Sequence, residues 1–103
     1  MKKIHLILLL LSTFSFPAYG ALSADEQWLQ LTDRYLDEMP ALSPVGATYM
    51  GDHRFDGELD QVSVEARINQ AAFIRRYQAE MAAIDRAQLE RANQVDYSLL
   101  EHE

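Results

Sequence analysis

Asp52, His53 and Arg54 stand together in SPVGATYMGDHRFDG, residues 43–57, and are the best-equipped residues of this chain for chemistry. A guanidinium makes planar, two-point pairs with carboxylates, and an imidazole changes charge near neutral pH. Side by side at a cleft rim, Arg54 or His53 could hold the carboxylate of a peptide. The same residues also fit a role that needs no ligand. Gly51 suits the left-handed position that closes a helix, and His or Arg just beyond a helix end meets the negative pole of its dipole, worth up to about 1 kcal/mol. That second reading accounts for the trio fully and is adopted. It has His53 and Arg54 satisfying the last carbonyls of the helix that Gly51 ends.

Two other acidic places invite a chemical reading. The last three residues, Glu101-His102-Glu103, look like half of a metal motif, but zinc needs three or four convergent ligands and a two-residue match does not supply them. Asp37 and Glu38 sit where a first helix should end, the pole that disfavours anions, with Asp33 one turn before as a like charge. They are expected to be solvated; the alternative is an arginine such as Arg54, Arg75 or Arg76 coming to meet them. No Gly-rich phosphate loop and no Ser-His-Asp spacing occurs, so no catalytic and no metal-binding residue is assigned.

The elements that must position these residues read as helices. Ser23 with Glu26 forms a capping-box pattern, and Trp28, Leu31, Tyr35, Leu36 and Met39 recur at steps of three or four until Pro40. Ser43-Pro44 predicts a short second helix with Ser43 as its cap, carrying Val45, Tyr49 and Met50 on one side. Residues 52–62 show no period and read as a loop. Ser63 should cap a long third helix over 64–84, with Gln70, Phe73, Ile74, Tyr77, Met81 and Ile84 as its buried stripe. Asp85 and Asn93 are good caps around a break with a single helical turn, and from Gln94 a last helix brings Val95, Tyr97, Leu99 and Leu100. Nothing alternates with a period of two. The expectation is an all-α chain of three to four amphipathic helices.

Residues 1–20, MKKIHLILLLLSTFSFPAYG, are set apart from that fold. Lys2 and Lys3, the apolar run Leu6–Leu11 and the small residues Ala18 and Gly20 make a secretory signal, with cleavage expected between Gly20 and Ala21. The run is too short for a spanning helix, which needs about 20 apolar residues. Periplasmic or secreted location is expected, without a stable membrane anchor. Among the 103 residues there is no cysteine, so neither disulfides nor a lipidated cysteine enter the argument. Cleavage removes two of the nine basic residues and none of the sixteen acids, leaving seven arginines and a formal charge of −9. A surface of that sign repels phosphate backbones, which excludes nucleic acid as a partner.

The order RYLDEMPALSPVGATYMGDHRFD, then SVEAR, then AIDRAQLERANQVDYSLLEHE resembles the start of a bacterial family catalogued as domain of unknown function 885. The matching positions are Tyr35-Leu36-Asp37-Glu38, Pro44, Ala47-Thr48, Gly51-Asp52-His53, Ser63 with Glu65-Ala66-Arg67, and Asp96-Tyr97 with Leu99-Leu100. The resemblance runs over essentially all of residues 21–103. It implies a long, helical, often exported protein similar to zinc-dependent peptidases, whose His-Glu-X-X-Pro-Gly-His-His motif lies far downstream. None of that motif occurs here, so no cofactor is assigned to this chain, and zinc belongs to the full-length family. The expectation is therefore the opening fragment of such a protein, inactive alone, with residues 21–103 as its helical N-terminal region. Its partner would be the remainder of the full-length protein, and a peptide would be the substrate of the complete form. The alternative is a complete small exported helical module that binds a protein partner. Three or four helices also make a core near the limit of independent stability, and the apolar set is larger than that frame encloses.

Overall fold

The structure, a computed structural model, describes residues 20–102. The leader expected over residues 1–20 lies outside them except for Gly20, which with Ala21 is exposed and non-helical. Four α-helices and no strand occur among the described residues: α1 is Ala24–Glu38, α2 Pro44–Tyr49, α3 Val64–Ala82 and α4 Arg91–Glu101. The chain is all-α.

Local chemistry explains most helix ends. Ser23 Oγ accepts from the Glu26 N–H while the Glu26 carboxylate accepts from the Ser23 N–H, a closed capping box at α1. Ser63 Oγ accepts from the Ala66 N–H at 3.0 Å and starts α3. After α1 the chain tightens into a 3-10 turn, Met39–Leu42, with Pro40 near its start and buried. Gly51 sits at φ +88°, and its N–H donates to Thr48 O while the Asp52 N–H donates to Ala47 O. Those two bonds are a Schellman closure, so backbone groups satisfy the end of α2.

Two expected caps are replaced by carboxylates from elsewhere. Ser43 makes no capping bond to α2; its hydroxyl donates to Asp60, whose Oδ1 accepts the Val45 N–H at 3.0 Å. Asn93 is no cap either. It lies inside α4, which begins three residues earlier than expected, and its amide donates to Asp25 Oδ1 at 2.6 Å. The same Asp25 oxygen accepts the Glu90 N–H at 3.0 Å, so a carboxylate in the first turn of α1 also holds the start of α4. Asp85 does cap, accepting from Ala87 N–H in the 3-10 turn Arg86–Gln88. The 52–62 stretch holds a further 3-10 turn, His53–Phe55, started by Asp52.

The core is aromatic. Trp28 and Leu31 of α1, Tyr77 and Met81 of α3, Ile84, Leu89 and Tyr97 of α4 form one buried cluster. Trp28 and Tyr97 face each other at 5.3 Å between centroids, and Tyr77 meets Tyr35 edge-on at 5.2 Å. α2 adds Pro44 and Ala47 to the buried set. The apolar stripes are thinner than their spacing predicts: Tyr49 is 89% exposed, Met50 65%, Leu99 65% and Leu36 63%, and Gln70 and Ile74 are exposed as well. These side chains have the right period but stay exposed, with no covering neighbour among the described residues.

Candidate functional site

The Asp52–Arg54 trio is built on the turn that follows the Schellman closure. Asp52 Oδ1 accepts the Arg54 N–H at 3.1 Å, and its two oxygens take the Arg54 guanidinium at 2.8–3.1 Å. That clamp holds the Asp52 carboxyl below the usual aspartate value and raises the Arg54 guanidinium above its own. Arg54 then reaches across to α1, donating to Asp37 Oδ1 at 2.6 Å and to the Asp37 carbonyl at 3.1 Å. It therefore does satisfy a helix-end carbonyl, but that of α1 and not that of α2, whose end was already closed by backbone. His53 satisfies no helix-end carbonyl. Its Nδ1 lies 2.9 Å from Asp56 Oδ2, and Asp56 Oδ1 accepts the Thr48 hydroxyl at 2.6 Å. The Thr48 bond, ahead of His53, holds the Asp56 carboxyl below its usual value.

Asp37 and Glu38 are not simply solvated, which corrects that expectation. Arg54 pairs with Asp37, and Arg76 pairs with Glu38 while stacking over the Tyr77 ring at 4.9 Å. Arg75 makes neither pair. The unfavourable charge at the end of α1 is thus neutralised by guanidinium groups from the 3-10 turn and from α3, which are forked and planar and suit carboxylates.

Beside this polar cluster lies an open apolar groove of about 420 Å³ between α1 and α4. Trp28 and Tyr35 contribute to its floor, Leu29 and Leu36 line it from α1, and Asp96 and Leu99 line it from α4. Through Tyr35, Met39 and Leu100 it adjoins a second cavity of about 250 Å³ between α1 and α3. An apolar, one-sided surface of this kind is what a packed neighbour normally covers.

Among the described residues no three of His, Asp or Glu converge on one point. His53 is engaged by Asp56, Asp52 by Arg54, and His102 lies at the end of α4. Glu103 falls outside the described residues.

A model of the family described as "Bacterial protein of unknown function (DUF885)" matches residues 44–103, more than half of the sequence. The chain belongs to that family. No curated protein and no solved structure matches it. The part matched to the family of unknown function 885 begins at Pro44, so it contains α2, the Asp52–Arg54 turn, α3 and α4. α1, with the Tyr35–Glu38 segment of the resemblance, lies before it. Within the family portion, sequence reasoning missed Asp60 and the Thr48–Asp56 bond, and before it the reach of Asp25 from the first turn of α1 to the start of α4. All three are carboxylate contacts across 8 to 68 residues, and no local spacing announces them. Leu89 was missed because it sits alone in a break between two periodic segments. No helix among the described residues is long and apolar enough to cross a membrane.

Proposed function

We propose that this chain is the helical N-terminal portion of an exported, metallopeptidase-like protein of the family of unknown function 885. In that reading residues 21–103 are a scaffold whose uncovered apolar side packs against a larger body carrying the zinc motif. The observation that carries it is the groove between α1 and α4, where Leu29, Leu36 and Leu99 stand 52%, 63% and 65% exposed beside the buried Trp28. Exposing three leucines on one face costs a small domain hydrophobic stabilisation that a covering surface would restore, about 1.5–3 kcal/mol for each fully buried side chain. Periplasmic or secreted location follows from the leader. A peptide is the substrate of the complete protein, and the Asp52–Arg54 turn holds its supporting helices in register.

The test is the coding sequence beyond codon 103 and the protein it encodes. An in-frame continuation with a His-Glu-X-X-Pro-Gly-His-His segment is expected, whose product, recovered from the periplasmic fraction, cleaves peptides in a chelator-sensitive way. Residues 21–103 alone are expected to show no such cleavage. A stop codon directly after Glu103, with a product that is monomeric and does not bind apolar dyes, would overturn the reading.

A further inference from the structure

The groove between α1 and α4 carries charge as well as apolar surface, and the charge has one sign. Leu29, Asp33 and Leu36 follow one another on α1 at steps of four and three, so Asp33, which does not itself line the groove, stands on its outer flank beside the two leucines. On the opposite lip Asp96 lines the groove one turn before Leu99. No arginine lines it. Elsewhere many acids are engaged, Asp37, Glu38, Asp52 and Glu80 by arginines and Asp25 and Asp60 by helix-start N–H groups. The exposed Glu58 and Glu65 side chains have no such partner among the described residues. Asp33 and Asp96 are exposed, and their carboxylates make no hydrogen bond or ion pair among the described residues.

We infer that the occupant of this groove is an amphipathic helix of the larger body, with leucine-like residues at i, i+4 and i+7 and an arginine or lysine on each flank to meet Asp33 and Asp96. The inference rests on the reading above, that a larger body covers this face. The groove runs from Leu29 to Met39 along α1, about 15 Å at the helical rise, which matches three turns of a partner helix. A trough with acidic edges takes a helix in groove by its apolar stripe, and the edges select the charge of its flanks. A second copy of this chain is disfavoured as occupant, because it would set the same unpaired acids against one another.

The chain reports on its own groove, since Trp28 is its only tryptophan and helps form the floor. Residues 21–103 are titrated, with Trp28 fluorescence as readout, with two tryptophan-free peptides of about 15 residues that share one leucine stripe. One carries arginine on its flanks and the other glutamate. The arginine peptide is expected to bind about tenfold more tightly. Asp33→Lys with Asp96→Lys should abolish or invert that preference. Glu58→Lys with Glu65→Lys, the same change in net charge on unpaired acids away from the groove, should leave it within about twofold. Circular dichroism of both double variants verifies the fold. Equal binding of the two peptides, or equal loss in both double variants, overturns the cationic flanks while leaving an apolar covering intact. Binding of neither peptide overturns both readings, and self-association through Leu36 in place of peptide binding overturns the helix occupant.

Discussion

Arg54 and Asp37 join the end of α1 to the turn after α2: one guanidinium nitrogen meets the Asp37 carboxylate at 2.6 Å, and the other meets the Asp37 carbonyl at 3.1 Å. The contact closes a helix end and cancels an anion placed at the wrong pole of that helix. Because Arg54 is also clamped by Asp52, the fork arrives already oriented. Arg54→Ala and Asp37→Asn should therefore each lower the melting temperature of residues 21–103, and the double variant should lose less than the two losses added together. Arg54→Lys keeps the charge but not the fork, and should recover less than half of the loss. Full additivity in thermal melts would show that the two groups act independently.

Two core tyrosines make opposite predictions for the same substitution. The Tyr97 hydroxyl donates to the Met81 carbonyl at 3.2 Å, whereas the buried Tyr77 hydroxyl has no hydrogen-bond partner of good geometry among the described residues. Burial, ahead of the nearby Glu38 carboxylate, pushes the Tyr77 phenol up. Tyr97→Phe should cost about 0.5–1.5 kcal/mol, while Tyr77→Phe should be neutral or stabilising by up to about 1 kcal/mol, since it removes an uncompensated polar atom. Urea unfolding of both variants checks the contrast; equal losses would contradict it.

The caps divide what was legible in the sequence from what was not. Ser23 with Glu26, Ser63, Gly51 and Asp85 act on backbone within three residues or close their own turn, and all four read correctly from spacing. Ser43 and Asn93 have cap-forming side chains too, but a carboxylate distant in sequence took each place: Asp60 for Ser43 and Asp25 for Asn93. Helical periodicity likewise gave the four helices and the inward faces of Trp28, Leu31, Tyr77 and Met81. It could not separate a covered stripe from an open one, which is why Leu36 and Ile74 were expected inside. At the Asp52–Arg54 turn only the helix-ending role of Gly51 was legible: His53 and Arg54 do not serve the end of α2. The bond from Arg54 to the Asp37 carbonyl of α1 depends on a 17-residue loop closure that spacing does not encode.

If Asp60 is the working cap of α2, its loss must exceed that of Ser43. Asp60→Ala removes the acceptor of the Val45 N–H and of the Ser43 hydroxyl, and should cost about 1 kcal/mol, within the usual range for a lost cap. Ser43→Ala leaves the Val45 bond in place and should cost only a few tenths of that amount. Amide hydrogen exchange at Val45 gives a local readout: faster in Asp60→Ala, unchanged in Ser43→Ala. The reverse order would return the cap to Ser43.

Acid should loosen the turn between α2 and α3 before the aromatic core. Asp52 and Asp56 are both held below the ordinary aspartate value of about 3.9, Asp52 by Arg54 and Asp56 chiefly by the Thr48 hydroxyl. A carboxyl whose pKa is lowered by folding adds stability that is fully present above its unfolded value and is lost as the pH falls through its folded one. The turn should thus be intact at pH 5 and weaken only below about pH 3.9, where the unfolded carboxyls take up protons first. Carbon-detected NMR titration of the side-chain carboxyls can assign the causes separately. Arg54→Ala should bring the Asp52 midpoint up toward the ordinary value, and Thr48→Val, nearly the same in shape but without the hydroxyl, should do so for Asp56. An Asp56 midpoint that stays low in Thr48→Val would hand its stabilisation to His53, the only other side chain bonded to it among the described residues.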